Sequence, residues 1–140
     1  MVHYYNQTST RRSLAKLFNN KELTFFVRTN NVDGRAATLA IAPNYIHSLD
    51  AAHMFMCIQR LAEIGIVHLC MIHDSYGCHA NYVGSMQQII KEEFVKIHTE
   101  NQLEIFKKEL EQQLGVILPD VPSRGELKLL RVLESDYFFA

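Results

Sequence analysis

The sequence predicts an α+β fold, a small antiparallel β-sheet or hairpin packed against several α-helices, and three observations carry that prediction. Two β-prone runs, Leu23 to Thr29 and Arg35 to Ile41, flank Asn30-Asn31-Val32-Asp33-Gly34, a loop whose Asn and Gly tolerate the positive φ that a hairpin connection needs. Ile66 to Ile72 is an apolar, Val/Ile-rich run of strand length, expected to be buried and to deliver His73 and Asp74 into a turn closed by Gly77. Val83, Met86, Ile89, Ile90, Phe94 and Ile97 recur at helical spacing, with Lys91, Glu92, Glu93 and Lys96 expected on the outer face.

The remaining elements follow from punctuation. Pro43 blocks further strand pairing, and Asn44 or Ser48 can cap a helix running to about Ile64, where Gly65 supplies the stop. Its apolar positions, Ile46, Leu49, Phe55, Met56, Leu61 and Ile64, follow the helical period loosely and are the expected core contacts. The strand after the Asp74 turn is short, because Asn81 or Ser85 opens the next helix. A third helix, about Asn101 to Leu114, ends at Gly115; Pro119 to Ser123 is a turn-rich connector, and a short helix near Leu127 to Leu133 precedes an aromatic tail, Tyr137-Phe138-Phe139-Ala140. The expected organisation is one domain over residues 1–140, with a hairpin-bearing segment at 1–41, helices and the Asp74 turn at 42–118, and a C-terminal piece at 119–140. There are no internal repeats.

At 140 residues, 48% hydrophobic and 21% charged, the chain is composed like a globular protein with a real core. No apolar run approaches the roughly 20 residues that span a bilayer, and Met1 to Thr10 lacks a signal-peptide pattern, so no membrane role and a cytosolic setting are expected. Cys57, Cys70 and Cys78 show no CxxC spacing and are odd in number, which reads as reduced, mostly buried thiols. A net charge of -1 argues against a free-standing nucleic-acid binder, since phosphate contacts depend on concentrated Lys and Arg.

A carboxylate at the tip of a core strand is costly to place unless a cation neutralises it, which makes Asp74 a candidate metal ligand held rigidly yet open to substrate. The alternative is that Asp74 starts a turn through its own side chain. His47, Asp50 and His53 stand at i, i+3 and i+6, but on a helix the two histidines point about 120° apart, so the three do not converge on one ion. That spacing leaves His47 and Asp50 as a polar edge on an otherwise apolar helix. His73 and Asp74, neighbours on an extended strand, face opposite ways and do separate jobs.

Three blocks then resemble one family. Ala42-Pro43-Asn44-Tyr45-Ile46-His47-Ser48-Leu49-Asp50-Ala51-Ala52-His53-Met54, then His73-Asp74-Ser75-Tyr76-Gly77, and the terminal Leu133-Glu134-Ser135-Asp136-Tyr137-Phe138-Phe139-Ala140, look like the C-terminal palm portion of the single-subunit DNA-directed RNA polymerases of bacteriophages and mitochondria. The blocks occur in the family's order, and Ser75 separates them from the related DNA polymerases, whose turn usually carries Glu there.

The resemblance implies that Asp74 is the second of two catalytic aspartates holding two magnesium ions, roughly 3.5 to 4 Å apart, for in-line nucleotidyl transfer. It implies that His73 lies beside the RNA 3′ end, that His47 and Tyr76 are substrate-binding positions, and that Phe138, Phe139 and Ala140 form a terminal foot beneath the site. A neutral imidazole both donates and accepts, which suits His47 to a ribose hydroxyl. The first aspartate, the fingers helix that binds the triphosphate and a promoter-recognition domain have no counterpart here. The expectation is therefore a fragment, split-gene product or degenerate remnant, inactive alone, whose partners are the rest of the polymerase, DNA template, RNA and nucleoside triphosphates. It would reside in the cytoplasm if phage-encoded, or in an organelle.

Two other readings compete, a non-catalytic palm-like binding module and an unrelated metal-dependent phosphohydrolase. The latter needs several converging ligands, and only Asp74 has the setting of one. An uncovered sheet face further predicts self-association of the isolated chain.

Overall fold

The opening residues form a long antiparallel ribbon, β1 (Asn6–Ala15) against β2 (Lys21–Val32), in register from Thr8↔Arg28 to Ala15↔Lys21 with an irregularity between Asn6 and Thr8. The structure, a computed structural model, describes residues 6–15, 21–72 and 74–138. Leu23 to Thr29 is thus a strand as its β-branched and aromatic residues predict, but its partner lies upstream. The expected second strand, Arg35 to Ile41, is instead the first part of a 30-residue helix, α1 (Gly34–Glu63).

The reason is local. Asp33 Oδ1 accepts the Ala36 N–H at 3.0 Å, and the Asp33 carbonyl accepts the Ala37 N–H at 3.0 Å, so the residue that reads as loop acts as a helix cap. Ala36, Ala37, Ala40 and Ala42 then favour helix more than Thr38 and Ile41 favour strand. Pro43 lies inside α1 rather than before it, where it removes the donor that would reach the Leu39 carbonyl. Gly65 ends the helix as expected: at φ 84° it sends its N–H to Ala62, while the Ile66 N–H returns to the Leu61 carbonyl at 2.9 Å.

Beyond α1 come a hairpin, β3 (Leu69–Ile72) with β4 (Ser75–Cys78), a 3₁₀ turn at Ala80–Tyr82, and the helices α2 (Val83–Thr99), α3 (Gln102–Leu114) and α4 (Arg131–Glu134). The architecture is α+β. Residues 1–47 and 48–140 form two compact units. In the second, Cys57, Leu61, Ile66, Met86, Ile89 and Ile90 make the core, with Leu69, Met71, Tyr76, Cys78 and Phe138 packed around it.

Burial corrects three further expectations. The buried stripe of α1 is His53, Cys57 and Leu61, one helical turn apart, whereas Ile46, Phe55 and Ile64 face outward. Strand β3 is buried on one face only: Leu69 and Met71 turn inward, while Cys70 and Ile72 are exposed. Two strands under one helical layer leave the other face uncovered, as the predicted exposed sheet face requires. Glu93, expected outside on α2, is buried and forms an ion pair with Lys96 at 3.1 Å, which satisfies the desolvated carboxylate.

Helix α3 ends where predicted, Gly115 taking φ 66° and returning its N–H to Glu111. The last helix starts later than predicted and spans four residues. Arg124 fastens the C-terminal segment by donating to the carbonyls of His98, Thr99 and Glu100 at the end of α2, where a cation also suits the helix dipole. Lys91 Nζ donates to the Ser135 carbonyl, and Phe138 meets Phe94 edge-on at 4.8 Å. Phe139 and Ala140 lie outside the described residues. Among the described residues no helix is long and apolar enough to cross a membrane.

The thiols differ more than their composition implies, since Cys57 is buried, Cys78 half-buried and Cys70 exposed. Burial, reinforced by the charge of Glu93, pushes the Cys57 thiol up to about 12. Thiol-reagent labelling at pH 7.5 should therefore modify Cys70 first and Cys57 only on unfolding; mass spectrometry showing early Cys57 adducts would contradict the packing. A raised folded-state value also means that Cys57 favours the folded state fully below its ordinary value near 9.0, and that this contribution is lost as pH climbs toward about 12.

Candidate functional site

The pairs Leu69↔Cys78, Cys70↔Gly77, Met71↔Tyr76 and Ile72↔Ser75 close the β3–β4 hairpin around a two-residue loop that carries Asp74. Leu69 and Met71 anchor the strand on the core, so the loop is carried on a fixed base while the Asp74 side chain is exposed. His73 lies outside the described residues. Gly77 does not close the turn; it sits in β4, where a Cβ would stand 3.3 Å from the Cys70 carbonyl oxygen, and glycine there permits the close approach of the two strands. Asp74 is thus placed as the sequence predicts, by a tighter loop than predicted.

Tyr76, two residues after Asp74, is half-buried, and its hydroxyl lies 3.3 Å from His53 Nδ1. Burial, then the charges of Cys57, Asp50 and Asp74, push its phenol up to about 12, keeping it a neutral donor. Asp50 and Asp74, one on α1 and one in the loop, therefore both direct negative field at this phenol. His47 is exposed and belongs to the unit of residues 1–47.

From the sequence, His53 stands out only as a member of the rejected His47, Asp50, His53 metal spacing, yet it lies at the centre of this site. It is 4% exposed, with Nε2 2.9 Å from the Ile90 carbonyl oxygen and 3.5 Å from Cys57 Sγ. The rings of Tyr76 and Phe94 stand edge-on to it at 6.1 and 5.8 Å. Its signal was present in the i, i+4, i+8 series His53, Cys57, Leu61, which defines the inward stripe of α1 once burial is known. His98 packs on Phe94 at 4.3 Å, and burial, then His53 and Arg124, holds its imidazole below the ordinary range.

As a metal site the arrangement is partial. Among the described residues no three His, Cys, Asp or Glu side chains are grouped to hold an ion. An exposed carboxylate on a rigid hairpin fits one oxygen ligand of a hard divalent cation such as magnesium, which takes one or two protein carboxylates and fills its other positions with water and phosphate.

The family profile described as DNA-dependent RNA polymerase matches residues 1–117. The chain belongs to that family, the single-subunit phage-type RNA polymerases. It is 35% identical over 140 residues to "DNA-directed RNA polymerase, mitochondrial" of Schizosaccharomyces pombe, a match taking in 81% of this chain and 12% of that protein. It is 39% identical over 121 residues to "DNA-directed RNA polymerase 1, mitochondrial" of Arabidopsis thaliana, over 84% of this chain and 12% of that protein. With "DNA-directed RNA polymerase 1A" of Nicotiana tabacum the identity is 37% over 118 residues, 84% of this chain and 76% of the relative. The chain thus spans 12% of the length of the first two relatives. The matched residues include His47, Asp74 and Tyr76, so the hairpin site falls inside the family segment.

Proposed function

We propose that this chain is the C-terminal catalytic palm part of a phage-type DNA-directed RNA polymerase, with Asp74 supplying one metal-binding carboxylate to two-metal nucleotidyl transfer. The observation that carries the reading is the exposed Asp74 carboxylate in a two-residue loop anchored on the core of a family member. Magnesium, when bound, would activate the attacking 3′-hydroxyl and stabilise charge on the leaving pyrophosphate. The task of Asp74 is to hold a negative oxygen in a fixed place; that of His73 is to flank the RNA 3′ end, and that of His47 to hydrogen-bond the nucleotide sugar. The role read for Phe138, Phe139 and Ala140 is that of the family's terminal foot below the active site. The remainder of the polymerase supplies the second carboxylate and the triphosphate-binding side chains, and template, RNA and nucleoside triphosphates are its ligands. The organellar names of the relatives support a place in mitochondria or chloroplasts.

The 140-residue chain alone, given a primed template, four ribonucleotides and magnesium, should extend nothing, because one carboxylate does not hold two ions. Template-dependent extension that vanishes in Asp74→Asn would show instead that this chain completes the site itself, with Asp50, whose charge also acts on the Tyr76 phenol, as the candidate second ligand.

A further inference from the structure

We propose that His53 is a positioning residue for the Asp74 loop, acting through the Tyr76 hydroxyl. The catalytic meaning of this rests on the palm reading; the physical linkage stands on the chain by itself. Three elements meet at one imidazole. His53 comes from α1, the Ile90 carbonyl at 2.9 Å from α2, and the Tyr76 hydroxyl at 3.3 Å from β4. A carbonyl only accepts, so Nε2 carries a proton, and in the neutral ring Nδ1 is then the acceptor for the Tyr76 O–H. In that tautomer the ring bonds to α2 and to β4 at once.

The bond to Tyr76 is made where it controls the loop. Tyr76 pairs with Met71, one rung below the Ile72↔Ser75 pair that closes the two-residue loop. Tyr76 and Cys78 pack on the core from this four-residue strand, and because a two-stranded hairpin is marginal by itself a polar bond to the helix layer adds to what holds its orientation. Fixing the tyrosine to the helix layer fixes the rung next to the pair that closes the Asp74 loop. On the other side, His53 stands against Phe94, and Phe94 against Phe138, so packing continues from the loop to the C-terminal segment. A core histidine that merely filled space would show no bond into the strand that directly follows Asp74.

The test uses the 140-residue chain labelled with ¹⁵N, without nucleotide or nucleic acid. Long-range ¹H–¹⁵N spectra at pH 7 should show His53 protonated at Nε2 and bare at Nδ1. Amide exchange over residues 74–78 should quicken up to about tenfold in His53→Leu, beyond any change at the Ile89 and Ile90 amides, since one hydrogen bond is worth about that factor. His53→Gln, which keeps one donor and one acceptor, should restore most of the protection. If His53→Leu does not fold, Tyr76→Phe keeps the ring, removes the hydroxyl, and should quicken the same amides while shifting the His53 Nδ1 resonance. A proton on Nδ1, or exchange that rises equally in loop and core, overturns the positioning role. Neither outcome touches the polymerase reading, which fails separately if Asp74→Asn leaves nucleotide addition intact.

Discussion

Asp74→Asn, in a polymerase carrying this segment, should lower single-nucleotide addition by at least about a thousandfold, or ~4 kcal/mol, while template binding changes little. The substitution keeps the size and hydrogen-bonding shape of the side chain and removes only its charge. Asp74 is exposed at a hairpin tip, so the folded state hardly depends on that charge; the loss falls on the transition state, where a divalent cation must balance developing negative charge. His47→Ala should act mildly, changing nucleotide affinity or the choice between ribose and deoxyribose, because one hydrogen bond is worth about 0.5 to 1.5 kcal/mol. Both variants are measured on one preassembled template and primer. Near-normal addition by Asp74→Asn together with abolition by His47→Ala would reverse the two roles and leave Asp74 a structural turn residue.

How much of this was legible in the sequence depended on whether the deciding force was local. The Asp74 hairpin, α2 and the Gly115 stop of α3 were readable because strand composition, helical period and a left-handed glycine act within a few residues. The stretch from Arg35 to Ile41 was misread because Asp33 and Gly34 suit a hairpin loop and a helix start equally; which one forms was settled by alanine content and by the bond from Ala36 to Asp33 Oδ1. The inward face of α1 was not legible, since Phe55 and Leu61 are equally apolar and only the position of β3, β4 and α2 decides that His53, Cys57 and Leu61 turn inward. For the same reason a buried Glu93 could not be told from its exposed neighbour Glu92 until Lys96 was seen bonded to it. The resemblance, carried by three short blocks, located Asp74 but did not foresee the internal bond of the Tyr76 hydroxyl. The resemblance gave Tyr76 a substrate contact, and the structure adds a bond from its hydroxyl to His53 Nδ1.

Leu61→Ala should cost about 2 to 5 kcal/mol of stability, while Phe55→Ala, on the same helix, should stay within about 0.5 kcal/mol of the parent. Leu61 is fully buried beside Cys57 and Ile66, and its carbonyl receives the Ile66 N–H where the chain leaves α1 for β3. Truncation there loses transfer free energy and leaves a cavity that a helix terminus fixed by Gly65 cannot readily collapse to fill. Phe55 is 65% exposed and leaves no comparable void. Since a domain of this size is stable by only about 5 to 15 kcal/mol, the first change removes a large share of the total and the second almost none. Urea unfolding of residues 1–140, followed by circular dichroism, should show a lower midpoint for Leu61→Ala at unchanged m-value. Equal losses for the two substitutions would mean that α1 presents Phe55 to the core as the bare sequence pattern predicts. The helix would then be rotated, His53 would turn away from Tyr76 and Ile90, and the support for the Asp74 loop would have to come from elsewhere.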